Sequence, residues 1–213
     1  MGCRSRDRMS GHSLAFRPTE GGSADMDAQL ARIQTELSDA LRRANLVAGL
    51  LPDNAWSARP APSQWSVAEC LIHLNLTSRA FLPLIDDAID KGREQARFMR
   101  TRHRMDFMGR LLWVASMISL PIKTTEPFVP AREELKDSVL SEFGTLQKQL
   151  IGYLDRAERL DLGKLRIVSP FDARIKYNLY SCFRVIPAHQ RQHLRQAERV
   201  VDRLRTAGTT GRV

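Results

Sequence analysis

Apolar residues recur at helical spacing over four long stretches of this chain, and nowhere do they alternate for long enough to read as a strand. A period of 3.6 places Leu30, Ile33, Leu37, Leu41 and Leu46 on one face of a helix from about Asp25, its cap, to Leu50. A second stripe, Val67, Cys70, Leu71, Leu74, Ala80 and Phe81, follows Ser66. A third, Leu135, Val139, Leu140, Phe143, Leu146, Leu150 and Leu154, lies in a helix from about Arg132 to Arg159. The last helix runs from about Leu179 to Leu204. An amphipathic helix must bury one face against a neighbour, so helices of this kind pack on one another. The expected architecture is therefore all-α: a four-helix bundle with an extra helical segment, Phe107 to Leu120, and a long crossover. The crossover is Pro121-Ile-Lys-Thr-Thr-Glu-Pro-Phe-Val-Pro130, held extended by its prolines.

The boundaries carry their own signals. Ser57-Ala-Arg-Pro-Ala-Pro-Ser63 is too rich in proline to be helical. Ser66 and Glu69 have the spacing of a capping box, and Trp65 stands where a hydrophobic staple would. Pro83 is expected to kink or interrupt the second helix, and Lys91-Gly92 to end it. Pro187 offers an alternative start for the last helix. Leu165 to Phe171 reads as short and irregular, and Glu133-Glu134 as first-turn charge complementing a helix dipole. Residues 1–24 contain no apolar core of a secretory signal and read as a disordered arm. Residues 25–206 then form the bundle, and 207–213 a flexible tail.

Charge and cysteine usage exclude several classes. The formal charge is +9, from 27 arginines and 6 lysines against 24 acidic residues. Only Lys91 to Arg104 is a basic cluster, and it lacks the regular aromatics of a base-stacking platform, so nucleic-acid binding is not expected. Phe107 to Ile122 is interrupted by Arg110 and Pro121 and is too short to span a membrane. Cys3, Cys70 and Cys182 are too scattered for a disulfide framework or a zinc ribbon, which makes a reducing cytoplasm the default compartment.

Three histidines carry the functional signal. His189 and His193 are four apart, hence one turn apart on a single helix face. Ile186, Ala197 and Val200 share that stripe, while Arg191, Arg195 and Arg199 fall elsewhere, so both imidazoles point inward. His73, between Cys70 and Leu74, points inward from the second helix. Buried imidazoles without partners are costly, and a shared cation is the simplest partner. Three histidine ligands with a vacant fourth position are the pattern of catalytic rather than structural zinc.

Trp65-Ser-Val-Ala-Glu-Cys-Leu-Ile-His-Leu74, the proline-rich crossover and His189-Gln-Arg-Gln-His-Leu-Arg-Gln196 together resemble the DinB/YfiT-like superfamily, over about residues 26 to 206. The resemblance implies a four-helix bundle of unusual topology that binds a divalent ion through His73, His189 and His193. Characterised members include S-transferases that use bacillithiol or mycothiol, a maleylpyruvate isomerase and hydrolase-like proteins, and the fold does not dictate the activity. The expected cofactor is zinc, nickel or iron. The expected function is metal-dependent transfer of a low-molecular-weight thiol to a small-molecule substrate. A metal-dependent hydrolase is one alternative, and a non-catalytic binding or stress-response module riveted by its ion is the other. No catalytic side chain is assigned.

Around the ligands, Gln196 matches the family element as an orienting group. Asn75 is a weaker candidate, and Glu69 reads first as a cap. Cys70 and Cys182 are potential fourth ligands, although small buried hydrophobes are the favoured reading. Bundles of this kind often pair into homodimers, but no sequence feature fixes an interface.

Overall fold

The computed structural model describes residues 27–95, 97, 102–118, 126–130 and 135–210. The arm at 1–24, the Asp25 cap, Glu133-Glu134, and much of the basic cluster and the crossover lie outside them. Helix α1 (Ala28–Gly49) starts at Asp27, whose carboxylate accepts the Gln29 amide at 2.7 Å. Helix α2 (Val67–Glu94) opens on the expected capping box. Ser66 Oγ accepts the Glu69 N–H at 3.1 Å, and the Glu69 carboxylate accepts the Ser66 N–H at 2.9 Å. Two otherwise orphaned donors are thereby satisfied. Helix α3 (Phe107–Met117) is capped by Asp106, and α4 (Lys136–Ala157) and α5 (Leu179–Thr210) complete the helices. Asn178 Oδ1 accepts the Ser181 N–H at 2.8 Å at the start of α5.

Several expectations are corrected. Helix α2 runs unbroken through Pro83. Pro83 and Arg79, whose carbonyl loses its helical donor, are both exposed, so water can replace the missing bond. Helix α5 starts at Leu179 as expected and passes through Pro187, so only the alternative start there is set aside. Leu165 to Phe171 is not wholly irregular: β1 (Arg166–Val168) pairs antiparallel with β2 (Lys176–Asn178), with Ile167 opposite Tyr177 and both buried. Three residues are too few to stand out as alternation. Leu46 is 57% exposed, because the buried face of α1 advances through Ala40, Ala44, Val47 and Ala48. Leu135 is 81% exposed, since it precedes the first turn of α4 and helical spacing does not apply to it.

Cross-helix pairs give the topology. Helix α1 runs parallel to α5: Gln29 bonds Tyr180, Glu36 faces Arg191, and Arg43 pairs with Glu198. Helix α2 runs parallel to α4: Asn75 bonds the Val139 carbonyl near one end, and Arg156 bridges Asp86 and Asp90 near the other. The two pairs oppose each other, since Lys136 at the start of α4 bonds the Leu51 carbonyl just past α1. Helices α1 and α2 lie diagonally, each flanked by α4 and α5. A parallel α2–α4 pair requires a long return, and α3 and the crossover supply it.

Two apolar clusters fill the bundle. One holds Leu74 and Leu194, the other Phe81 and Ile186. Each fully buried Leu, Ile or Phe there contributes about 1.5–3 kcal/mol. Asn75, Thr77, Ser78, Gln147 and Gln190 are also buried and include the polar residues nearest this junction along α2 and α5. Helix α3 lies against α5, where Gly109 meets Ser181 so closely that any side chain would clash. Its outer face exposes Phe107, Leu111, Val114 and Ile118. Among the described residues, no helix is long and apolar enough to cross a membrane.

Candidate metal centre

The bundle brings His73, His189 and His193 to one point. His73 is in the second turn of α2, between buried Ile72 and Leu74, and is itself buried. Helix α5 presents His189 and His193 one turn apart, and both are half-buried. A ring nitrogen from each of the three lies within 4.8 Å of the other two. Ring centroids are 5.2 Å apart for His73–His189, 4.5 Å for His73–His193 and 4.6 Å for His189–His193.

Hydrogen bonds orient two of the rings. The His73 Nδ1 lies 2.9 Å from the Phe128 carbonyl, which can only accept, so Nδ1 carries the proton and Nε2 keeps its lone pair. The His193 Nδ1 lies 3.1 Å from Gln196 Oε1, and the same logic frees its Nε2. This is the support that metal-ligating histidines usually have. The Nε2 atoms of His73 and His189 are 3.3 Å apart. Nitrogens at two corners of a tetrahedral ion with bonds of ~2.0–2.1 Å would be separated by about 3.3 Å, so this edge suits two imidazole ligands of one divalent ion.

Electrostatics favour the ligand form. Burial lowers the pKa of all three imidazoles. For His73 the Phe128 carbonyl partly opposes the shift. His189 is lowered further by the neighbouring His193 and His73. His193 is pushed down to about 3 by burial and by His73, against the opposing Gln196 bond. Neutral imidazole is the form that binds metal. Three neutral ligands would also leave an ion its full charge toward a fourth ligand.

The remaining candidates separate clearly. Gln196 contacts the trio as expected. Glu69 does not reach it: besides capping α2, its carboxylate forms a two-pronged pair with Arg59, whose Nε lies at 2.8 Å. Asn75 turns the other way, donating to the Val139 carbonyl at 3.0 Å and to Glu142 at 3.2 Å. Cys70 and Cys182 are wholly buried in the two apolar clusters. Burial drives both thiols up, away from the thiolate a ligand needs, and neither joins the histidine group.

Three contributors left little trace in the sequence. The Phe128 carbonyl is backbone and carries no residue signature. Trp65, read as a staple, also faces the trio: its ring is 5.0 Å from His73 and stacks on His193 at 5.7 Å and 26°. Phe171, beyond β1, lies 6.1 Å from His189 and 4.6 Å from Phe128.

Replacing Gln196 by leucine removes the His193 acceptor without altering a metal ligand. Affinity should fall about 10- to 100-fold in a chelator competition, whereas Gln196→Glu, which keeps an acceptor, should lose far less.

A helical bundle with two parallel pairs and a three-histidine candidate metal site describes the class. The chain belongs to the DinB superfamily, whose family model matches residues 36–197. That span contains His73, His189 and His193. No curated protein and no solved structure matched the chain.

Proposed function

We propose that His73, His189 and His193 hold a divalent ion, zinc, nickel or iron, and that the protein uses it to transfer a low-molecular-weight thiol to a small-molecule substrate. One observation carries the first part: three imidazole nitrogens, each from a separate residue, meet within 4.8 Å. A bound ion would supply a Lewis acid that lowers the pKa of a coordinated thiol or water. The protein's own work is positional. Phe128 and Gln196 fix the tautomers of His73 and His193, and the flanking rings limit water around the imidazoles.

Three histidine ligands with the fourth position left to a substrate are the pattern of catalytic rather than structural zinc, which favours reactive chemistry over a rivet. A rivet requires a fourth protein ligand, and among the described residues no cysteine, aspartate or glutamate joins the three histidines. The choice of thiol transfer rests on the superfamily, and a reducing cytoplasm suits such a co-substrate.

The test is to incubate the metal-loaded protein with bacillithiol or mycothiol and a panel of electrophiles, and to read products by mass spectrometry. Thiol adducts that disappear on chelation are expected. Addition of water alone would make the protein a hydrolase, and no turnover with any electrophile would favour the non-catalytic module.

A further inference from the structure

We infer that the ligand taken beside the three histidines has an uncharged apolar body, preferably an aromatic ring, which packs against Phe171. This rests on the metal-site reading above and specifies the substrate class for that site.

The rings bracket the imidazoles on two sides. Trp65 covers His73 and His193, while Phe171 leans on His189. Within the trio, His73 is buried while His189 and His193 are both half-buried, and Phe171 borders the His189 side. Phe171 is 45% exposed, yet it is not loose: Phe128 backs it at 4.6 Å and Phe81 at 5.8 Å. A single exposed aromatic needs no explanation on its own. This one is braced by two other rings, and its neighbour His189 is one of the two half-buried metal-ligand candidates.

The same surroundings disfavour an anionic body. Among the described residues, Arg59 is engaged by Glu69, and Arg191, two residues from His189 and His193 along α5, by Glu36 and the Met117 sulfur. Polar atoms at the trio are similarly committed, with the Phe128 carbonyl serving His73 and the Gln196 amide serving His193. Among the described residues, the groups flanking the imidazoles that could receive a ligand's body are the ring faces of Trp65 and Phe171. Small-molecule sites commonly combine mostly apolar walls with a few fixed polar groups in this way. Aromatic pairs at these separations also add attraction beyond area burial.

The test holds the metal-binding end of a probe constant and changes its body. Acetohydroxamate, benzohydroxamate and 4-carboxybenzohydroxamate are titrated calorimetrically into zinc-loaded protein, with zinc content measured on the same sample. The phenyl group should tighten binding about 10-fold, and Phe171→Ala should reduce that advantage to about 2-fold. Phe171→Leu, which keeps an apolar wall, should retain part of it, and the carboxylate should weaken binding in every variant. If the phenyl advantage is the same in wild type and Phe171→Ala, or if the carboxylate tightens binding, the inference is overturned while the metal reading stands. A sample that holds no zinc overturns both.

Discussion

His189→Ala should abolish metal retention. Wild-type protein, dialysed after loading, should keep about one divalent ion per chain, and the variant less than about a tenth of that, because two imidazoles cannot form the facial set. His189 is the informative position: its Nε2 forms the 3.3 Å edge with His73. Thermal unfolding gives an independent reading. A ligand present at about a thousand times its Kd stabilises the folded state by about 4 kcal/mol, so added zinc should raise the wild-type Tm and leave the variant unmoved. The apo proteins should behave differently. Without an ion, the three imidazoles keep a 3.3 Å Nε2–Nε2 contact between His73 and His189 and ring packing on one another. Removing one forfeits those contacts alone, so the two metal-free proteins should differ less in stability than the zinc-loaded ones. Equal metal content in the two proteins, measured by elemental analysis, would end the three-histidine assignment.

Much of the site could be read in the sequence because its signals are local. An i,i+4 histidine pair follows from helical pitch, and the Ser66/Glu69 capping box sets the start of α2 and hence the inward direction of His73. The long apolar stripes identified the bundle helices, and the superfamily motifs fell within the matched span. What escaped was contributed by distance, backbone or small residues. The Phe128 carbonyl reaches His73 across 55 residues and carries no side-chain signal. Phe171 sits beside a hairpin whose strands are three residues each. Three of the seven buried residues of α1 are alanine, which periodicity of large apolar residues overlooks. Pro83 does not interrupt α2, because a proline ends a helix only where its missing bond cannot be replaced, and exposure is not visible in a sequence. Asn75 shows the opposite failure: proximity in sequence to His73 suggested a supporting role, whereas the side chain serves α4.

Glu69→Ala should destabilise the protein by about 3 kcal/mol, the order expected when one partner of a buried ion pair is removed. The Glu69 side chain is 2% exposed and that of Arg59 is 25% exposed, so the abandoned guanidinium would be only partly hydrated. The same substitution deletes half of the capping box, returning the Ser66 N–H to an unsatisfied state. The pH dependence has a definite sign. Burial raises the Glu69 pKa, but the bonds from Arg59 and from Ser66 outweigh it, and the net shift is downward. A carboxylate with a depressed folded-state pKa stabilises the protein above its unfolded value and loses that contribution as pH falls through the folded one. Urea unfolding of wild type should thus lose stability on acidification below about pH 4.5, with Glu69 accounting for part of the slope. In Glu69→Gln that part should vanish, leaving the variant weaker near neutral pH and closer to wild type in acid. The consequence extends to the histidines, because this cap fixes the first turn of α2 and His73 lies one turn further on. A loosened cap should weaken metal binding in both variants even though no ligand has changed. Unaltered stability in Glu69→Ala, together with an unchanged acid limb in Glu69→Gln, would show that the Arg59 pair contributes nothing in solution.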